Sequence, residues 1–380
     1  MKDQKYFCYE IYKNLAIWSH SGRIGYSPCS YYSGLVSRAD TFNLNKYWNL
    51  PERKKIMLKV ENNQPIAGCQ SCYNLEEAGI KSRRQSSEEL YETYHNDTDI
   101  DVSGPTGIDY SVGNLCNLKC VICSPYHSTS WIPDYQKLNP GKSIEIFRYE
   151  KHNQLEVDDP ELLKNLKSVH FHGGGEPLLS LNHLNLLKKI KEIKGLSDVR
   201  VFYNTNGTVR PTQETLDIWE ECKLVEIYFS IDDIGERFEY QRPGSTWAHV
   251  TETIRWFYEN MPHNHMININ CVWSYLNLYY LDEVHQWHQK NLLTSRYGDP
   301  VQLIFQKAHG ECAINTVTST AKAILLEKFQ NYPELIKLVQ SLKVDNTAKP
   351  QDFLNYIQKL DAVRGNNFHS LCPEWSKLLT

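Results

Sequence analysis

The residues best suited to chemistry in this chain are its cysteines. Cys116, Cys120 and Cys123 form a CxxxCxxC in the stretch GNLCNLKCVIC. Three thiolates at this spacing can hold three irons of a 4Fe–4S cluster, which takes four ligands in all. No fourth cysteine is near in sequence, which leaves one iron open to a ligand from outside the protein. The same triplet suits a structural zinc, with His127 available as the fourth ligand. Spacing alone leaves the two readings close. A second set lies upstream, where Cys69 and Cys72 make a CxxC and Cys8 and Cys29 stand alone. Four thiolates suit a fully ligated 4Fe–4S cluster and a structural zinc site equally. Cys222 and Cys271 lie in or beside apolar stretches and read as small packed hydrophobes. Cys312 and Cys372 fall in a more polar C-terminal tail, from which they could also reach a metal.

The elements that position these groups follow from periodicity. From about residue 105, short apolar runs alternate with helical stretches. Strands are predicted at 108–112, 168–172, 199–203, 225–231, 267–273 and 301–306. Between the second and third, Leu181, Leu184, Leu187 and Ile190 share one helical face, with Ser180 as N-cap and Gly195 as terminator. Six strands with intervening helices predict an α/β fold, a partial (β/α)6 TIM-like barrel. A motif follows each of the first four strands: the cysteine triplet, then GGGEP (Gly173, Gly174, Gly175, Glu176, Pro177), then NTNG from Asn204, then SIDD from Ser230. In parallel α/β folds the C-terminal strand ends share a face, so these motifs are expected around one site. Residues 1–104 differ, being polar and rich in Tyr, with helices predicted only at 50–60 and 86–94. A segment so poor in apolar residues needs a metal or cluster to stabilise it. Its KSRRQ run reads as a solvated face. The expected divisions are 1–104, 105–308 and a helical extension at 309–380.

Composition narrows the function. The chain has 380 residues, 41 Lys+Arg against 45 Asp+Glu, a net charge of −4 and 41% apolar residues. A sizeable core is affordable, and a dedicated nucleic-acid binder, which carries a strongly basic surface, is disfavoured. No apolar run reaches membrane-spanning length, and the first residues do not open a signal peptide. Eleven cysteines, an odd number, fit a reducing compartment and metal binding better than disulfides. The expected location is the cytoplasm.

The CxxxCxxC followed by GGEP on the second strand resembles the radical S-adenosylmethionine (SAM) superfamily over roughly residues 105–305. The resemblance implies that Cys116, Cys120 and Cys123 bind a 4Fe–4S cluster whose open iron is chelated by SAM. It further implies that Gly173, Gly174 and Gly175 let backbone approach the methionine moiety, and that Glu176 meets the SAM ammonium. Ser230 and Asp232 would contact the ribose or the methionine carboxylate, Asn204 and Asn206 would supply polar contacts from the third strand, and Arg242 would reach SAM. Ile122 stands where an aromatic residue often covers adenine.

The N-terminal segment carries a second resemblance. FC near the start, GRIGYSPC, a WN, and GCQSCYNLEEAGIKSRR resemble the twitch/SPASM-type proteins of that superfamily, here with the module ahead of the barrel. Cys8, Cys29, Cys69 and Cys72 are then implied to hold an auxiliary 4Fe–4S cluster. CYEIYKN replaces an LPW-type segment, and a single Cys29 stands where a pair is frequent. The implied activity is reductive cleavage of SAM to a 5′-deoxyadenosyl radical and hydrogen abstraction from a substrate C–H bond. Oxidation, crosslinking or epimerisation of a peptide side chain is expected, with flavodoxin or ferredoxin as electron donor. Small-molecule and RNA substrates are alternatives, as is a non-catalytic zinc or iron–sulfur interaction module. No catalytic side chain is singled out.

Overall fold

The computed structural model describes all residues except 1–3, 21–22, 35, 40–42, 78, 148–156, 158, 262, 293, 295–297, 299, 348–349 and 380. Gly22 of the GRIGYSPC stretch therefore lies outside the described residues. Nine strands are named in chain order: β1 (Asn14–His20), β2 (Arg23–Ser27), β3 (Ser37–Ala39), β4 (Gly107–Tyr110), β5 (Ser168–Phe171), β6 (Arg200–Thr205), β7 (Leu224–Ser230), β8 (His265–Trp273) and β9 (Leu303–Lys307). They follow the order β3-β2-β1-β4-β5-β6-β7-β8-β9, an open sheet. The six predicted strands are β4 to β9, each within a few residues of its expected bounds. The fold is a mixed α/β one of the partial TIM-like kind.

The N-terminal segment departs from expectation. It contributes three strands where none was predicted. β2 runs antiparallel to β1 and to β3, and β1 runs parallel to β4 with Leu15 opposite Ile108. Leu15, Ala16 and Ile17 are buried, yet Trp18 is half-buried and Asn14 is a buried polar residue, so the alternation that marks an exposed strand is missing. The segment also builds an apolar cluster of its own, in which Phe7, Tyr9 and Tyr12 pack with Val60, Ile66 and Tyr91. A third of that cluster is tyrosine, whose ring packs as apolar surface while its hydroxyl stays polar. The helix predicted at 50–60 is Pro51–Glu61, and that at 86–94 is Arg83–Glu89 continued by a wider turn, Leu90–Tyr94.

Two compact units result, both discontinuous in sequence. The first comprises residues 1–115, 146–204 and 211–226. Within it β1, β4, β5 and β6 are parallel neighbours, and the register places Ala16, Asp109, His170 and Phe202 side by side. Val169 and Phe171 face the opposite way, towards helix Leu181–Lys194. That helix starts on the Ser180 cap and ends at Gly195, as expected. Leu181 belongs to its predicted apolar face but is 72% exposed, and His183 and Leu186 are buried instead. The rest of the predicted face, Leu184, Leu187 and Ile190, is buried as expected.

The second unit comprises residues 116–145, 205–210 and 227–380. β8 and β9 are parallel, with Cys271 opposite Phe305. Its core joins the cysteine loop to the C-terminal helices: Val121 and Trp131 share one cluster with Trp273, Ile314, Phe353, Phe368 and Trp375. Cys271, Cys312 and Cys372 are buried in that cluster, and Cys222 is buried in the first unit. All four act as packed hydrophobes, so the polar look of the C-terminal tail misleads about Cys312 and Cys372. No described helix is long and apolar enough to cross a membrane.

Candidate functional site

In the second unit, the three cysteines of the triplet sit on an irregular loop, half-buried and outside any disulfide. An irregular backbone at a functional site must find hydrogen-bond partners outside regular structure. Here Lys119 N donates to Pro243 O (2.9 Å) and Val121 N to Gln241 O (2.8 Å). Side chains donate to the loop carbonyls: Ser130 Oγ to Cys116 O, Trp131 Nε1 to Cys120 O, Arg364 Nη2 to Lys119 O and Tyr356 OH to Val121 O, all at 2.7–2.8 Å. The Arg364 guanidinium also pairs with Asp134 (2.8 Å) and lies over the Trp131 ring. Lys119 completes this buried charge group, 3.0 Å from Asp134. Gly244 lies close beside the loop at φ +117°, and a Cβ there would stand 2.7 Å from Asn117 O.

Polar groups of the later motifs reach the same cysteines. Asn206 Nδ2 donates to Asn117 Oδ1 (3.0 Å) and lies 3.7 Å from Cys116 Sγ. Arg242 Nη1 lies 3.7 Å from Cys120 Sγ. The Asp232 carboxylate is fully engaged. Its Oδ2 accepts from Arg242 Nε (2.9 Å) and pairs with Nη2 (2.7 Å), and its Oδ1 accepts from Val272 N (2.9 Å). Asp232 therefore aims Arg242. Ile122 and Cys123 pack against the apolar cluster. Ser230 ends β7.

Burial pushes the Cys120 thiol up to about 11 despite the nearby Arg242, and it raises Cys123 as well. Without metal these groups are thiols at neutral pH. Metal binding must expel their protons, after which the thiolates would accept hydrogen bonds from Arg242 and Asn206. A donor set of three cysteines with a cation and an amide turned towards the sulfurs fits an iron–sulfur cluster.

In the first unit, Gly173, Gly174 and Gly175 all have positive φ (+84°, +142° and +67°), which explains a run of three glycines. A Cβ on Gly175 would come within 2.8 Å of Gly113 O, and one on Gly173 within 2.3 Å of the Trp18 ring. Glu176 is buried, its N donates to Leu115 O (2.7 Å), and its carboxylate accepts from Leu178 N. Asn204 Oδ1 lies 3.5 Å from His170 Nε2.

The first unit also brings the four upstream cysteines together. Cys8, Cys29, Cys69 and Cys72 line one cavity, with Tyr32 and Tyr73 among its walls. Burial raises all four thiols, Cys69 to about 12. Arg83 and Arg84 line the same cavity and would offset the negative charge of four thiolates. KSRRQ is thus no solvated face: Arg83 pairs with Glu10 (2.9 Å), and Arg84 with Glu76. The cavity's donors suit an iron–sulfur cluster and a zinc ion alike.

Sequence reasoning passed over Tyr356 and Arg364, which no motif marks. It also passed over His170 and His172, whose signal is an H-x-H on a strand that puts both imidazoles on one face.

Comparisons with known proteins agree with the triplet. Residues 110–272 match the family model of the Radical SAM superfamily. Among curated proteins, a GTP 3',8-cyclase of Limosilactobacillus fermentum is 29% identical over 101 residues, 26% of this chain and 25% of that protein. The tungsten-containing aldehyde ferredoxin oxidoreductase cofactor-modifying protein of Pyrococcus furiosus is 26% identical over 32% of this chain and 29% of its own length. The matched part is thus between a quarter and a third of these relatives. Among solved structures, native anSMEcpe with bound AdoMet aligns over 63% of both chains at 17% identity and TM-score 0.40. Streptococcus suis SuiB bound to precursor peptide SuiA aligns over 93% of this chain and 78% of that one, at 12% identity and TM-score 0.37.

Proposed function

We propose that this chain, which carries a radical SAM domain at residues 110–272, is a radical SAM enzyme that oxidises, crosslinks or epimerises a peptide side chain. The single observation that carries the reading is the cysteine loop itself. Three thiols are held there by a dense set of hydrogen bonds, with Arg242 and Asn206 turned towards two of the sulfurs. When bound at that loop, a 4Fe–4S cluster and SAM supply one-electron cleavage of the sulfonium and hydrogen abstraction from a substrate C–H bond.

The protein's part is placement. Cys116, Cys120 and Cys123 hold the cluster, and Arg242, aimed by Asp232, offsets its negative charge. Asn206 offers a hydrogen bond at the loop, Ile122 gives it an apolar flank, and Ser230 would contact the ribose or the methionine carboxylate. Glu176 and Asn204 provide the ammonium and polar contacts to SAM, while the absence of side chains at Gly173, Gly174 and Gly175 leaves room for its methionine end. Cys8, Cys29, Cys69 and Cys72 would hold an auxiliary 4Fe–4S cluster, which would supply an acceptor for the substrate electron. Peptide modification rests on the likeness of the N-terminal segment to twitch-type proteins. A flavodoxin or ferredoxin supplies electrons, in the cytoplasm, where the thiols stay reduced.

Anaerobic reconstitution, iron and sulfide analysis and a SAM-cleavage assay test this. Protein of confirmed iron content should release 5′-deoxyadenosine when reductant is added, and no release refutes the enzyme reading. Replacing Cys116, Cys120 and Cys123 together by Ala should remove about four irons and leave about four. Loss of all iron refutes the auxiliary cluster and leaves the upstream cysteines holding zinc or nothing. Turnover of a small molecule or an RNA, with peptides inert, refutes the substrate class.

A further inference from the structure

The first unit contains a group of metal-ligating side chains that no part of the radical SAM reading uses. Asp109 on β4, and His170 on β5 with His172 just beyond it, project from one face of the parallel sheet, and one ligand atom of each lies within 4.8 Å of the others. We propose that these three residues bind a single divalent transition-metal ion, of the zinc or ferrous class, with a coordination position open to an exogenous oxygen or nitrogen donor.

The two distances to the carboxylate lie close to those of ligands around one ion. His170 Nδ1 is 3.6 Å and His172 Nε2 is 3.9 Å from Asp109 Oδ1. Two atoms each ~2.1 Å from one metal, at a tetrahedral angle, lie about 3.4 Å apart. A direct histidine–carboxylate hydrogen bond would be shorter, about 2.9 Å. The group thus has the spacing of ligands around an ion. His172 points the same way: it is 9% exposed, and its Nε2 is sealed from solvent with no hydrogen-bond partner. A buried imidazole nitrogen left this way carries a desolvation cost that a metal bond would remove.

The surrounding shell also suits an ion. Metal-bound histidines and carboxylates are usually oriented by outer partners. The other Asp109 oxygen, Oδ2, accepts from Ser30 N (3.0 Å) and Asn14 Nδ2 (3.2 Å). His170 turns its Nε2 to Asn204 Oδ1 (3.5 Å), leaving Nδ1 for the ion. Trp18 stands edge-on to the His172 ring, centroids 5.1 Å apart, and fills the space a Cβ on Gly173 would take. The competing cation is Arg83, 3.8 Å from Asp109, but its nearer partner is Glu10 at 2.9 Å, which offsets its charge. Two imidazoles and one carboxylate select borderline metals over Mg²⁺ or Ca²⁺, which prefer oxygen. Three protein ligands leave room for a water or a substrate carboxylate, hydroxyl or amide. That would make the ion a substrate anchor.

The test uses the full-length protein, anaerobically reconstituted with iron and sulfide, equilibrated with zinc sulfate, desalted and analysed by elemental mass spectrometry and zinc-edge X-ray absorption. Wild type should retain about one zinc per chain with a nitrogen/oxygen shell and imidazole scattering. His172→Gln and Asp109→Asn should each lose that zinc with iron content unchanged. If the upstream cysteines hold zinc instead of a cluster, a second, sulfur-ligated zinc persists in both variants, so the two questions separate. Equal zinc in wild type and folded His172→Gln overturns the proposal. Should the variants fail to fold, a wild-type spectrum without an imidazole shell overturns it equally.

Discussion

Arg364 gives the sharpest test of how the cysteine loop is held. Its side chain and that of Asp134 are each only 3% exposed, and their ion pair is closed by Lys119, which is 33% exposed. Arg364→Met keeps most of the aliphatic stem but removes the guanidinium that lies over Trp131, and with it the charge. Losing one partner of a buried pair costs about 3–5 kcal/mol, because the other charge stays buried. Lys119 still faces Asp134, which favours the lower end. The Lys119 carbonyl, however, loses a charged donor, an effect of about 1.5–3 kcal/mol that is not additive with the first. The expected destabilisation is therefore about 3–4 kcal/mol. Because Lys119 precedes Cys120, the loop should also release iron several-fold faster to a chelator. The measurements are urea unfolding of the reconstituted protein and bathophenanthroline release under anaerobic conditions. Asp134→Leu combined with Arg364→Met should recover at least about 1 kcal/mol, since the one charge then left without its partner, Lys119, is 33% exposed and can be solvated. Refutation would be a single variant within about 1 kcal/mol of wild type, with unchanged iron release. A double variant no better than the single would refute the buried-charge account specifically.

Two further outcomes follow from local geometry. Gly175→Ala places a Cβ 2.8 Å from Gly113 O at φ +67°, and should destabilise the protein by about 1–3 kcal/mol in thermal unfolding, whereas Gly298→Ala, at φ +90° in open space, should cost less. Burial pushes His183, on the inner face of its helix, down to about 4 from 6.5. Between those values the unfolded chain binds more protons than the folded one. The His183 contribution is thus complete above pH 6.5 and falls by about 3 kcal/mol as the pH drops towards 4. His95 and His172 are depressed over the same range, so His183→Gln should reduce the slope of the unfolding free energy across that window without abolishing it, and an unchanged slope would show that His183 does not contribute.

How much was legible beforehand depended on whether a feature is local. The CxxxCxxC is a run of thiols on one loop, and GGGEP is a run of backbone conformations that only glycine takes cheaply, so both can be read along the chain. The strands β4 to β9 announce themselves because each is an apolar run bounded by turn residues. In contrast β1 has no clean alternation: buried on both faces at Leu15 to Ile17, half-buried at Trp18, it is recognisable as a strand only once β4 lies beside it. Asp232 and Arg242 were both expected at SAM, yet that one carboxylate would be fully engaged in holding the other's guanidinium was decided by packing.

The sequence by itself determined the donor types and their spacing at the triplet, since thiols at fixed spacing on one loop need no tertiary contact to act together. Tertiary structure alone decided which distant residues meet. It placed Cys8, Cys29, Cys69 and Cys72 around one cavity and buried Cys312 and Cys372 in an apolar core. It also set His170 and His172 beside Asp109, some sixty positions earlier, and brought Tyr356 and Arg364 back to the carbonyls of the cysteine loop. The physical reason is the same in each case. A buried polar group must find a partner, and which partner reaches it depends on how strands register and helices pack, information carried by the whole chain and by no single motif.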